Sequence, residues 1–178
     1  MAYGIDFVLS EKTLNLHRDY LKKQKLRYSI WEKAFPQISG KCAFEIAKMK
    51  IRDKRDIISL KCDIMCHELY FASFGKEYQS SIAARNKYRT ESSFLYEIYE
   101  KSRCEKQGFL IIGMSGGRIE YTVGEENEIL KITNPLLAVD LYEHAYFLDF
   151  GFDMDLYLNK ILPMLNLSFL DKFLQSKD

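Results

Sequence analysis

The sequence predicts an α+β protein, an N-terminal helical hairpin packed on a C-terminal α/β layer with a three-stranded antiparallel sheet. Three observations predict it. Before Gly108, apolar residues recur every three or four positions, the spacing that lines one face of a helix. At Gly108 the pattern changes to short apolar or alternating runs separated by glycine-rich turns, which marks paired strands. From residue 155 the helical spacing returns. Helices, a small antiparallel meander and helices again make an α+β order.

The elements follow in turn. Ser10 is placed to cap a first helix whose Leu14, His17, Leu21, Gln24, Tyr28 and Trp31 share a face, and the helix ends before Pro36. A second helical stretch covers residues 42–50. A third covers residues 56–74, where Ile57, Leu60, Ile64, His67 and Phe71 form a stripe and Gly75 is the stop. Residues 80–89 read as a linking segment. Thr90 caps a helix that runs to about Lys106, with Gly108 as its terminator. Residues 109–114 and 118–123 are strands joined by a turn at Ser115, Gly116 and Gly117. A second turn over residues 124–127 precedes an apolar run at residues 129–132. Residues 136–140 are a further strand, and residues 155–175 carry Leu158, Ile161, Leu165, Phe169 and Phe173 at helical spacing. The expected division is residues 1–79 for the helical hairpin domain and residues 80–178 for the α/β domain.

Composition narrows the function classes. A chain of 178 residues can bury a stable core without disulfide staples. With 26 basic against 25 acidic residues there is no field to attract nucleic acid or anionic lipid, so neither is an expected partner. The start lacks a basic segment followed by an apolar run, and a cytoplasmic location is the expectation. Cys42, Cys62, Cys66 and Cys104 are expected as reduced, mostly buried thiols. Cys62 and Cys66 lie one helical turn apart beside His67, which leaves a zinc site open as an alternative, although the paired knuckles of structural zinc sites are missing. Residues 113–117 read as a turn and not as a phosphate loop.

The chemistry rests on three histidines. His17, His67 and His144 each lie in an apolar context, and any one alone reads as a core histidine with a backbone partner. Asp140, four residues before His144, changes that reading. Three neutral imidazoles and one carboxylate make an N3O donor set suited to Fe or Mn, and also to Zn.

The segment Asp140-Leu141-Tyr142-Glu143-His144-Ala145-Tyr146-Phe147 resembles the signature of the iron/manganese superoxide dismutases, Asp-x-Trp-Glu-His-Ala-Tyr-Tyr. The stretch from Leu9 to His17 and the stretch Cys66-His67-Glu68-Leu69-Tyr70-Phe71 resemble the family's segments that hold its first two histidine ligands. The resemblance implies one Fe or Mn ion per chain, held by His17 and His67 of the first domain and Asp140 and His144 of the second. It implies superoxide and small oxygen species as substrates, no nucleic-acid or membrane partner, and a homodimer bridged at Glu143. It also implies departures around the metal. Lys25 falls where the family has its active-site tyrosine, and Leu21 where it has its gateway histidine. Phe109 and Phe147 replace a tryptophan and a tyrosine, and Met154 lies near a basic residue of the family's entrance. Asp63 stands where iron-type members supply a glutamine, and Glu126 lies near the manganese-type position. For Asp63 a solvated helix residue is the competing reading. With Tyr70 retained, the proton donors expected near the metal are Tyr70, Asp63 and Lys25. Two functions follow: a superoxide dismutase with altered surroundings, or a metal-binding homologue with little or no dismutase activity.

Overall fold

The computed structural model describes residues 4–75, 80–105 and 107–173. Lys106 and Gln175, expected ends of two helices, and residue 79, the expected domain limit, lie outside them. Helix α1 (Glu11–Ala34) starts where Ser10 Oγ accepts the Thr13 backbone N–H, and a short 3₁₀ turn at Pro36–Ile38 ends it. Helix α2 (Ala43–Lys48) is short, with Glu45 reaching back to the Cys42 N–H at 2.8 Å. Helix α3 (Lys54–Ala72) is the central element, burying Ile57, Leu60, Cys62, Ile64, Cys66, His67 and Tyr70. One side of it packs with Tyr28, Ile38 and Ile46, and another, through Cys62 and Cys66, with Phe109 and Ile111 of the sheet. Each fully buried Leu or Ile of this kind stabilises the fold by roughly 1.5–3 kcal/mol.

Residues 80–89 are not a plain linker. They form α4 (Ile82–Tyr88), capped by Ser81 Oγ on the Ala84 N–H. Its first turn is completed by Asp171, whose carboxylate accepts from Ser81 Oγ, Ile82 N and Ala83 N at 2.8–2.9 Å. A carboxylate from the far end of the chain satisfies donors that the local sequence leaves open. Thr90 then caps α5 (Glu91–Arg103) through the Ser93 N–H, and that helix stops short of the expected end.

The sheet has three antiparallel strands, β1 (Phe109–Ser115), β2 (Arg118–Gly124) and β3 (Asn134–Asp140), in the order β2-β1-β3. It is therefore not a meander, because β3 returns to pair with β1. Residues 129–132, expected to continue the strand pattern, fall largely in a 3₁₀ segment, Glu126–Lys131, that carries the chain across to the other edge of β1. Their apolar side chains serve packing: Ile129 and Ile132 join Cys62, Cys66, Phe109 and Ile111. The β1–β3 register shifts at Ile112/Gly113, and a Cβ at Gly113 would strike the Asn134 carbonyl, so only glycine fits the bulge.

The C-terminal helical stretch is broken. Helix α6 (Phe147–Phe150) and helix α7 (Met154–Ile161) are followed by 3₁₀ segments Leu162–Met164 and Leu167–Phe173. Pro163, which has no N–H to donate, lies in the first of them. The largest core cluster joins Leu9, Leu14 and Tyr70 with the sheet and with Tyr157, Leu158 and Ile161. Among the described residues no helix is long and apolar enough to cross a membrane.

Candidate metal centre

Four donors converge where α1, α3 and the end of β3 meet. His17 comes from α1, His67 from α3, Asp140 from the last position of β3, and His144 from the 3₁₀ turn that follows. The ligand atoms of these side chains all lie within 4.8 Å of one another. Asp140 Oδ2 is 3.0 Å from His17 Nε2, 3.5 Å from His67 Nε2 and 3.1 Å from His144 Nε2. A cation about 2.0–2.2 Å from each donor would set adjacent donors about 3 Å apart and opposed donors about 4 Å apart. The donor set fits a transition-metal ion on that spacing.

Unpartnered atoms support the fit. His17 Nε2 and Asp140 Oδ2 are buried and make no hydrogen bond among the described residues. Leaving such atoms unsatisfied costs about 1–3 kcal/mol each, which a cation between them would relieve. The other carboxylate oxygen is already used, since Asp140 Oδ1 accepts the Tyr142 N–H at 2.8 Å. The Asp140 backbone carbonyl accepts the Tyr157 hydroxyl at 2.9 Å. Burial alone would raise the Asp140 pKa, but the His144 and His17 imidazoles beside the carboxylate outweigh it and hold the carboxyl well below its usual range.

His67 is oriented from behind. Its Nδ1 lies 2.8 Å from the Asp63 carbonyl and 3.1 Å from the Asp63 carboxylate. Nδ1–H donation to Asp63 leaves the Nε2 lone pair facing Asp140 and His144. Burial would lower the His67 pKa, yet the Asp63 and Asp140 carboxylates overrule it and raise it. At His17 burial wins and lowers the pKa. Asp63 is thus not a solvated helix residue; its carboxylate contacts a donor imidazole.

Around the donors sits a layer of aromatic rings. Tyr20 lies against His67 and His144, at ring-centroid distances of 5.0 and 5.1 Å, and donates its hydroxyl to Asp63 at 3.3 Å. Burial first, and the Asp63 charge next, push its phenol up to about 12. Tyr142 stacks on His144 and donates to Glu126 Oε2 at 3.4 Å, while Glu126 Oε1 accepts from Ser59 at 2.7 Å. Tyr70 packs on His17 with ring centroids 5.0 Å apart and is fully buried, so its phenol is driven well above the usual range. Lys25 is not brought to this cluster. It is half exposed and pairs with Glu68 at 2.6 Å. Glu143 is exposed beside the centre. Tyr20 escaped the sequence reading although its place three residues after His17 puts it on the same helical face.

Two cavities reach His144, which is 38% exposed. One, of about 460 Å³, is bordered by Arg27, Asp56, Ser59, Asp63 and Glu126. The other, of about 660 Å³, is bordered by Leu16, Asp19, Lys22, Lys23, Phe147 and Leu148. The cysteines stand outside the donor set: Cys62 and Cys66 are buried, Cys42 is half-buried and Cys104 is exposed. Burial pushes the Cys62 thiol up to about 12 and that of Cys66 higher still, and neither sulfur joins the four-donor group, so both read as core thiols.

A three-histidine, one-carboxylate centre between a helical hairpin and the end of an antiparallel sheet defines a metalloprotein class. The family model for iron/manganese superoxide dismutases, C-terminal domain, matches residues 76–173. The chain belongs to that superoxide dismutase family. The matched span contains Asp140 and His144, and the fold ties His17 and His67 to them. No curated protein matches the chain.

Proposed function

We propose that the chain holds one Fe or Mn ion through His17, His67, Asp140 and His144 and disproportionates superoxide to oxygen and hydrogen peroxide. The convergence of three imidazole nitrogens on one unpartnered, buried carboxylate oxygen carries the reading. A bound Fe or Mn would supply the one-electron redox change that dismutation requires. The chain's own residues do the rest. Asp63 holds His67 in the tautomer that offers Nε2, and Tyr142 braces the ring of His144. Tyr20 and Asp63 form the hydroxyl–carboxylate pair nearest the donors, and they are the groups we assign to proton delivery in place of Lys25. Residues 1–79 would then act as the helical half of the centre and residues 80–178 as its α/β half.

A second reading is favoured by one observation. The smaller cavity holds Asp56, Asp63 and Glu126 against Arg27, a field that repels an anion such as superoxide. It fits a metal-binding homologue with little dismutase activity. Elemental analysis and cytochrome-reduction assays on protein loaded with Fe, and separately with Mn, separate the two. About one ion per chain and activity well above free metal ion support dismutation. Full loading without such activity leaves the second reading, and stoichiometric zinc overturns the choice of metal. Glu143, exposed beside His144, also supports a homodimer in which the two centres approach one another, which light scattering would test.

A further inference from the structure

Among the described residues Tyr20 and His144 alone border both cavities. The Tyr20 ring lies against the imidazoles of His67 and His144, at interplanar angles of 36° and 28°, and its hydroxyl is tied to Asp63. On one side of that ring the charged groups are Asp56, Asp63 and Glu126 against Arg27. On the other they are Lys22 and Lys23 against Asp19, with the apolar surface of Leu16, Phe147 and Leu148 beside them. Resting on the metal-centre reading above, we propose that Tyr20 is a specificity-determining partition. Its ring separates an acidic chamber from a lysine-edged apolar chamber, so that small anions enter the centre through the second and are kept from passing the carboxylates of the first.

The physical basis is steric and electrostatic. Charges lining the channel an anion travels steer its approach, and low-dielectric walls focus that field along the channel and so set the on-rate. With the ring in place, the lysine side sets the rate of anion entry. With the ring removed the chambers merge, and Glu126, held close by Tyr142, then opposes the anion directly.

The rate of azide binding to the chain loaded with Co²⁺, followed by stopped-flow visible absorption at low salt, tests this without using activity. In the native chain Lys23→Gln is expected to slow azide entry about threefold, the size of one partly screened charge, and Glu126→Gln to leave it nearly unchanged. In a Tyr20→Ala background Glu126→Gln is expected to speed azide entry about threefold. Tyr20→Phe keeps the ring, so its azide entry rates should match those of the native chain. Equal effects of Glu126→Gln with and without the Tyr20 ring overturn the partition, as does Tyr20→Phe behaving like Tyr20→Ala. A chain that takes up no Co²⁺ overturns the metal centre and the partition together. The expected coupling in protein without dismutase activity upholds the partition and removes only the reaction.

Discussion

The two walls of the centre are held in different ways. On the strand-end wall, Asp140 is fixed through the main chain: its Oδ1 accepts the Tyr142 N–H, its carbonyl accepts Tyr157, and its residue pairs with Phe109 across the sheet. On the helical wall side chains and ring packing share the fixing with one main-chain carbonyl, that of Asp63. His67 leans on Asp63, and His17 Nδ1 has no partner among the described residues, so ring packing against Tyr70 and Phe71 positions it. Departures from the pattern the chain resembles fall on both walls. They are exchanges of supporting side chains, Asp63 and Lys25 on the helical side and Phe109, Tyr142 and Phe147 on the strand side, while the main-chain frame that fixes Asp140 stays in place.

The largest expected effect comes from removing the charge on which both walls converge. Asp140→Asn should reduce bound Fe or Mn to background in elemental analysis. A tightly bound ion present at about 1,000 times its Kd adds about 4 kcal/mol to the folded state. For a chain of this size, stripping it with a chelator should lower Tm by about 8–16 °C. Calorimetry should find that shift in the native chain and none in Asp140→Asn. Equal shifts in both would mean that the ion sits elsewhere, and the comparison of the walls would lose its centre.

A middle-sized contrast separates the walls. Tyr157→Phe deletes a buried hydroxyl that donates to the Asp140 carbonyl, and urea unfolding should show a loss of about 1–3 kcal/mol. Asp63→Asn leaves the Asp63 carbonyl in place at 2.8 Å from His67 Nδ1, so the fold should change little. Its effect should fall on metal affinity, at about tenfold, the low end for the loss of a group that orients a ligand. Competition with a metal indicator reads that change directly. Metal affinity unmoved by Asp63→Asn would mean that the carboxylate serves Tyr20 alone.

Local pattern reveals the strand-end wall and much of the helical frame, since the Asp140 to Phe147 segment is continuous in sequence and the caps at Ser10 and Thr90 act within three residues. What local pattern misses depends on groups far apart in the chain. The first turn of α4 is completed by Asp171, ninety residues after Ser81, and no periodicity within residues 80–89 announces that partner. The strand order fails for a similar reason: residues 129–132 are apolar because they pack on α3, and that burial resembles a strand without being one. Lys25 was placed by position relative to the family's tyrosine, but its ammonium finds Glu68, one helix away, while Tyr20 takes the place over the imidazoles.

The smallest expected effect concerns the seam between the walls. Asp149, just after the His144 turn, accepts the Ser10 N–H at 2.8 Å and so ties the start of α1 to α6. Burial would raise its pKa, but hydrogen bonds from Thr13 and Ser10 outweigh that and hold it below the usual carboxylate range. A carboxyl with a lowered folded-state pKa adds stability that is fully present above its unfolded value of about 3.9 and disappears as pH falls through the folded value. Because the side chain is largely exposed, solvent screening keeps the ionic contribution to about 0.5 kcal/mol or less. Asp149→Ala should therefore be slightly less stable than the native chain near neutral pH. The gap should narrow as the solution is acidified below about pH 4, where the native carboxyl is itself protonated. Urea midpoints measured across that range would show the two curves drawing together. Curves that stay parallel would assign the cost to the lost contact alone, and leave the charge on Asp149 with no part in joining the helical wall to the strand-end wall.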